Sequence, residues 1–223
     1  MTILVDKSPA AKRQARQKKR HSQTRTEVLD AAAKLVLNEG VSGFRLEALG
    51  DELGLTKQAI YYYFKSKESL LFELVLRENF EMASEVEAAI AKTETDIEGL
   101  EALMRTVFNR YRNRMDLYKL AYHNFPTCDF KTLVGEEALE RVRPVNDMLY
   151  AAVETRLRAR QKRRQFPKTR NPRRFVFNAH MAVIGILNMM SIAQAAQDPL
   201  IHNEQDLIDD IFETFKTSMR QGD

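Results

Sequence analysis

Residues 46–64, LEALGDELGLTKQAIYYYF, limit what this chain can fold into more than any other stretch. Leu46, Leu49 and Leu53 recur at spacings of three and four, which puts them on one face of a short helix. Gly54 ends that helix, because glycine takes the left-handed backbone of a sharp turn without steric penalty. Leu55 then points inward, Thr56 supplies a side-chain oxygen as a cap, and the run from Lys57 to Phe64 makes a second short helix that buries Ile60 and Phe64. This is the sequence form of a helix-turn-helix.

The second helix suits a DNA major groove. Its first turn offers Lys57 and Gln58, side chains able to hydrogen-bond guanine and adenine edges, while Tyr61 and Tyr63 suit phosphate oxygens. The next helix opens with Ser66-Lys67-Glu68: Ser66 caps it, and its free amides and Lys67 point toward a phosphate.

YYYFKSKESLL at residues 61–71 resembles the motif that closes the DNA-binding domain of tetracycline-repressor (TetR) family regulators. Upstream, the order of first helix, glycine stop, aromatic plug, two-helix reader and Tyr-x-x-Phe end is similar to that family from about Val28 to Leu76. Two positions depart from the pattern. Arg45 stands where the family commonly has a Ser or Thr cap, and is expected to reach a phosphate instead; Glu47, near the DNA-facing start of the helix, repels phosphate unless it pairs with a base or a neighbouring Lys. The resemblance implies that the rest of the chain is a helical ligand-binding and dimerisation domain.

The chain's 223 residues allow one large or two small domains. Helix formers dominate and apolar residues recur at helical spacing nearly throughout, so an all-α protein is expected: a basic flexible arm at 1–22, the helix-turn-helix domain at 23–68 and the helical domain at 69–223. The single Cys excludes an intramolecular disulfide. The basic N-terminus lacks a following apolar core, and no apolar run is expected to approach the roughly 20 residues of a membrane span, so a cytoplasmic protein without membrane contact is expected.

The net charge of +4 conceals an uneven distribution. Residues 1–25 hold eight Lys and Arg against Asp6 alone, a net +7, and residues 156–174 hold ten with no acid, a net +10, which leaves −13 on the remainder. A polyanionic partner is the usual reason for such asymmetry. The arm with Lys12, Arg13, Arg16, Lys18, Lys19 and Arg20 has no apolar period; it reads either as a contact to DNA backbone or minor groove, or as a solvated tail. The second run, broken by Pro167 and Pro172, reads either as a solvated helix end and loop or as a site for a phosphorylated or acyl-CoA ligand or DNA flanks.

Along the chain, Val28, Ala31, Ala32, Leu35 and Val36 mark a first helix stopped by Gly40, with Val41 and Phe44 as core filling and Gly50 as a close helix crossing. A long helix from Ser66 to about Lys92 joins the reader to the second domain. Residues 93–96 cap the next helix, whose inward face is Leu100, Leu103, Met104, Val107, Phe108 and Tyr111. A short helix ending at Pro126 and a long one from about Glu136 to Arg160 follow. Family resemblance implies a cavity among them, with Phe108, Tyr111, Met115, Tyr118, Tyr122, Phe125, Met148 and Tyr150 as candidates; their aromatic and sulfur surfaces suit an apolar or aromatic ligand, or plain core.

His123, Cys128 and His180 match no metal-ligand spacing, no nucleophile sits in a glycine-flanked turn and no phosphate loop occurs, so neither metal, cofactor nor enzyme is expected. The last two helices are apolar on several sides, so a partner subunit is expected to cover Val183, Leu187, Leu207, Ile211, Phe212 and Phe215, and the family resemblance implies that the four helices form an intersubunit bundle. The expectation for the whole is a homodimeric regulator, a repressor on a palindromic DNA operator released by a small-molecule effector. A constitutive regulator whose second domain only dimerises, a nonspecific nucleoid protein and an enzyme are the rival readings.

Overall fold

The computed structural model describes residues 9–124, 136–197 and 202–220, and all regular structure among them is helical. The helices are α1 (Pro9–Gly43), α2 (Leu46–Leu53), α3 (Lys57–Tyr63), α4 (Lys67–Ile90), α5 (Asp96–Tyr111), α6 (Met115–Lys119), α7 (Glu136–Lys162), α8 (Pro172–Ala196) and α9 (Glu204–Arg220), with a π-helical turn at Leu120–Asn124 after α6. The chain divides into two compact units, and the division falls inside α4, between Leu74 and Val75.

In the first unit α1 packs on α2 and α3. Val28, Leu29, Ala31, Ala32 and Val36 of α1 meet Leu46 and Leu49 of α2 and Ile60 of α3 in a core that Phe44 and Phe64 complete, all buried. Each of the Val, Leu, Ile and Phe side chains contributes about 1.5–3 kcal/mol by leaving water, and the two alanines less. Gly40, at φ 71 and ψ 168, breaks α1 where the glycine stop was expected. The expected flexible arm is instead helix from Pro9 onward. Its Ala, Gln, Lys and Arg are strong helix formers, and extending a helix already nucleated by packing costs far less than starting one, so no apolar face is needed.

The turn between α2 and α3 explains Gly50 differently from a helix crossing. A Cβ there would lie 2.6 Å from the Leu55 carbonyl oxygen, while the Leu55 N–H donates to the Gly50 carbonyl at 2.9 Å. The turn folds back onto its own helix. Gly54 closes α2 in the left-handed conformation, φ 62 and ψ 31.

In the second unit α5 packs on α7, α8 and α9, and α8 packs on α7 and α9, around one continuous core running from Met82 to Met219. The whole predicted inward face of α5 is buried. Thr95 caps α5 in a reciprocal box with Glu98: its hydroxyl accepts from the Glu98 N–H at 3.1 Å and the Glu98 carboxylate accepts from the Thr95 N–H at 3.1 Å. Arg110 on α5 donates to Glu78, Glu81 and Glu85 of α4; Arg110 and Glu78 are each only 6% exposed. Burial opposes the Arg110 charge, but the carboxylates outweigh it and hold its pKa above the usual value.

Contrary to the sequence expectation, α8 is long and apolar enough by length and composition to cross a membrane. Half of that stretch is buried within the unit's own core, which marks it as a core helix.

Candidate functional site

The site begins at α3. Thr56 caps it, its hydroxyl accepting from the Ala59 N–H at 3.1 Å, so the first turn is fixed and Lys57 and Gln58 stand exposed on it. Tyr61 is 41% exposed and Tyr62 70%. Sequence reasoning passed over Tyr62, although it follows Gln58 by four residues and therefore shares its outward face. Glu47, the awkward acid of α2, is paired: Lys57 Nζ lies 2.7 Å from its Oε1. Arg45 occupies the N-cap of α2 in extended conformation with no side-chain cap bond, and is exposed.

Two of the expected phosphate-facing side chains have partners within the protein. Lys67 donates to the Phe44 carbonyl at 2.5 Å, and the Tyr63 ring packs against His21 with centroids 4.8 Å apart. Arg25 anchors the same corner, donating to the Tyr63 carbonyl at 3.0 Å, pairing with Glu73 at 3.0 Å and lying over the Phe64 ring. Ser66 caps α4 as expected, accepting from the Ser69 N–H at 3.0 Å.

In the second unit the predicted aromatics gather. Tyr111, Tyr118 and Tyr122 form a three-ring cluster with centroids 5.2–6.0 Å apart, and the Tyr118 hydroxyl donates to the Ile184 carbonyl at 3.1 Å. Phe108, Met115 and Tyr150 are buried and Met148 is half-buried; Phe125 and Cys128, and the side chain of His123, lie outside the described residues. Tyr150 and His180 share a 2.7 Å hydrogen bond through His180 Nδ1. Burial pushes the His180 pKa down to about 4 and the Tyr150 pKa up to about 12. The Tyr111 hydroxyl and His180 Nε2 are buried and have no hydrogen-bond partner among the described residues. Such orphaned atoms are uncommon in native cores. No group of three or more metal-binding side chains comes together among the described residues.

The basic run of residues 156–174 is largely taken up internally. Arg156 donates to the carbonyls of Ile90, Thr93 and Thr95, Arg160 to Asp96 and to the carbonyls of Gln165 and Met219, and Arg170 to the Ser218 carbonyl. Arg173 pairs with Asp147 and Glu154. The run also lines two surface concavities, one of about 730 Å³ with Arg163 and Arg164 on its wall and one of about 440 Å³ with Arg158 and Arg174.

The expected subunit-facing set needs correction. Val183 and Leu187 are fully buried in the protomer's own core and Phe212 is 4% exposed, so they have no surface left for a partner; Leu207, Ile211 and Phe215 are half-buried. The apolar side chains that α8 leaves uncovered are Phe177, Met181, Met189 and Ile192, with Gly185 open between them. Their near-four-residue spacing makes one stripe.

A capped, exposed reader helix on a three-helix base defines a helix-turn-helix DNA-binding regulator. Residues 28–74 match the family model for bacterial regulatory proteins of the tetR family, which makes this unit a TetR-type DNA-binding domain; regulators of that family are transcription factors rather than enzymes. No curated protein sequence matches it. Among solved structures, the fold is similar to the transcriptional regulator FadR from Bacillus subtilis in complex with stearoyl-CoA, with a TM-score of 0.67 and 13% identity over 86% of this chain and 98% of that one. The fatty acid degradation regulator FadR from Bacillus halodurans matches with a TM-score of 0.64 and 12% identity over 86% and 93%. A TetR/AcrR-family regulator from Thermobifida fusca YX-ER1 matches with a TM-score of 0.63 and 21% identity over 89% and 100%. At these identities the likeness is one of fold.

Proposed function

We propose that this regulator is a cytoplasmic repressor that binds a palindromic operator as a homodimer and is released when a small molecule enters the aromatic cluster of its second unit. The DNA-contacting set is Arg45, Lys57, Gln58, Tyr61, Tyr63 and Lys67, with Thr56 fixing the first turn of the reader. Lys67 exchanges its internal partner for a phosphate on binding, while Tyr63 reaches one with its hydroxyl and keeps its ring against His21. Dimerisation follows from reach: one short reader covers a few base pairs, and two set about 34–36 Å apart read a site of useful specificity. The uncovered α8 stripe supports a partner subunit there.

The observation that carries the effector reading is the pair of orphaned polar atoms, Tyr111 hydroxyl and His180 Nε2, within an aromatic and methionine-rich core. A ligand with an apolar body and a polar group would give such an atom its missing partner. Thousandfold release requires that it favour the DNA-incompetent form by roughly 4 kcal/mol. Stearoyl-CoA, the ligand of the B. subtilis structure, is the first compound to test: its chain suits the aromatic cluster and its phosphates suit the Arg-lined concavities.

Selection of random duplexes by purified protein at near-physiological salt tests the DNA half, with an enriched palindrome expected. The recovered duplex then serves to test release by stearoyl-CoA and by metabolite pools. Uniform, salt-sensitive recovery would favour a nonspecific nucleoid protein. A palindrome that no metabolite releases would favour a constitutive regulator.

A further inference from the structure

The helical extension of α1 ahead of His21 has no role in the reader as described. No acid occurs between Asp6 and Glu27, and residues 12–20 are all exposed. At 100° per residue, Lys12, Arg13, Arg16, Lys19 and Arg20 fall within an arc of about 120°. The opposite side carries Gln14, Gln17 and His21, which with Lys18 and Tyr62 line one shallow depression. The extension is thus a two-sided rod: one side meets the end of the reader helix, and the other presents a stripe of cations. Arg13, Arg16, Lys19 and Arg20 have no acidic partner among the described residues.

The rod is fixed to the reader by three contacts. The His21 ring stacks edge-on to Tyr62 with centroids 5.7 Å apart and against Tyr63 at 4.8 Å, and Arg25, one turn later, holds the Tyr63 carbonyl. The extension from Pro9 to Arg20 reaches about 18 Å beyond that joint, the length of about five base pairs.

We infer that this cationic stripe is a second DNA contact, one that grips the phosphate backbone flanking each half-site. The inference rests on the DNA-binding reading of the reader helix. A helix 10–12 Å across does not enter a minor groove about 6 Å wide, so an extended arm threading that groove is not the mode of contact. Phosphate contact is what the four clustered cations Arg13, Arg16, Lys19 and Arg20, without acidic partners among the described residues, provide, and it carries no sequence information.

The test uses the full chain and the operator recovered by selection, prepared once as a 40-base-pair duplex and once trimmed of its flanks. The variant is Arg13→Gln/Arg16→Gln/Lys19→Gln/Arg20→Gln, with affinity measured against salt. Each lost phosphate contact flattens the slope of log K against log salt by about 0.9, so the long duplex should show a slope shallower by about 3 or more and an affinity lower by tenfold or more at 150 mM salt. On the trimmed duplex the two proteins should coincide. An unchanged slope on the long duplex, or an equal loss on both, overturns the inference. The Arg13→Lys/Arg16→Lys/Arg20→Lys variant, checked for helix content by circular dichroism, should keep the wild-type slope, and loss of the slope there would also overturn it. Gln58→Ala distinguishes this failure from that of the reader: it should lose preference for operator over scrambled sequence while leaving the salt slope intact. A wild type that prefers no sequence removes the reader assignment, and the slope difference still decides the stripe.

Discussion

Lys57 and Glu47 hold each other at 2.7 Å across the joint between α2 and α3, so the first cation of the reader is already paired before DNA arrives. The hydrogen bond from Lys57 keeps the Glu47 carboxyl below its usual pKa, and the same bond raises that of Lys57, so both charges persist throughout the neutral range. Glu47→Gln should free Lys57 and remove a repulsion, tightening binding to all duplexes by about two- to fivefold at physiological salt, as fluorescence anisotropy would show. Lys57→Ala should instead relax the preference at particular base positions.

Gly50 tests the folding of the reader separately from its contacts. Gly50→Ala places a methyl group 2.6 Å from the Leu55 carbonyl, an atom of the turn backbone that cannot swing aside. Overpacking of this kind costs about 1–3 kcal/mol, to be read from urea unfolding of the full chain.

His180 makes stability depend on pH. Its folded pKa of about 4 lies below the ordinary 6.5, so below pH 6.5 the unfolded chain takes up the proton first and stability falls as pH falls. The loss between pH 7 and pH 5 should be about 2 kcal/mol greater than in a His180→Gln variant, measured by urea titration at each pH.

Arg110 neutralises a buried carboxylate. In Arg110→Met the Glu78 side chain, 6% exposed, loses its closest cation, and destabilisation of about 3–5 kcal/mol is expected. A double variant, Arg110→Met/Glu78→Gln, should recover much of that in thermal unfolding, because the uncompensated charge is gone.

Met181→Glu, at an exposed position of the α8 stripe, should yield folded monomers by light scattering. Phe212→Asp, buried in the protomer, should unfold the second unit instead. A Met181→Glu variant that stays dimeric would place the subunit contact away from α8.

The reader, its caps and the inward face of α5 were legible because each is written in neighbouring residues. Thr56 caps a helix three positions on, Gly54 ends one beside itself, and Leu100, Leu103 and Val107 announce a face by spacing. The helical extension of α1 escaped notice because a solvated helix needs no apolar period, only good formers grafted on a packed neighbour. On α8 the apolar residues run all round, so spacing could not separate Val183, facing inward, from Met181, facing out. The fate of the second basic run was hidden for another reason: Arg156 finds its carbonyls more than sixty positions away in the chain.

That same arginine gathers in one guanidinium the last carbonyls of α4 and the threonines that start α5, and Gly99 leaves room for it, since a Cβ there would sit 2.9 Å from its Nη1. Two segments more than sixty residues apart in sequence are thereby tied at one knot, and neither can fray without releasing the other. Amide hydrogens at residues 91–93, which would ordinarily exchange early at a helix end, should exchange only with the melting of α7, and the Arg156→Lys protein, with one ammonium in place of a fork, should let them go independently.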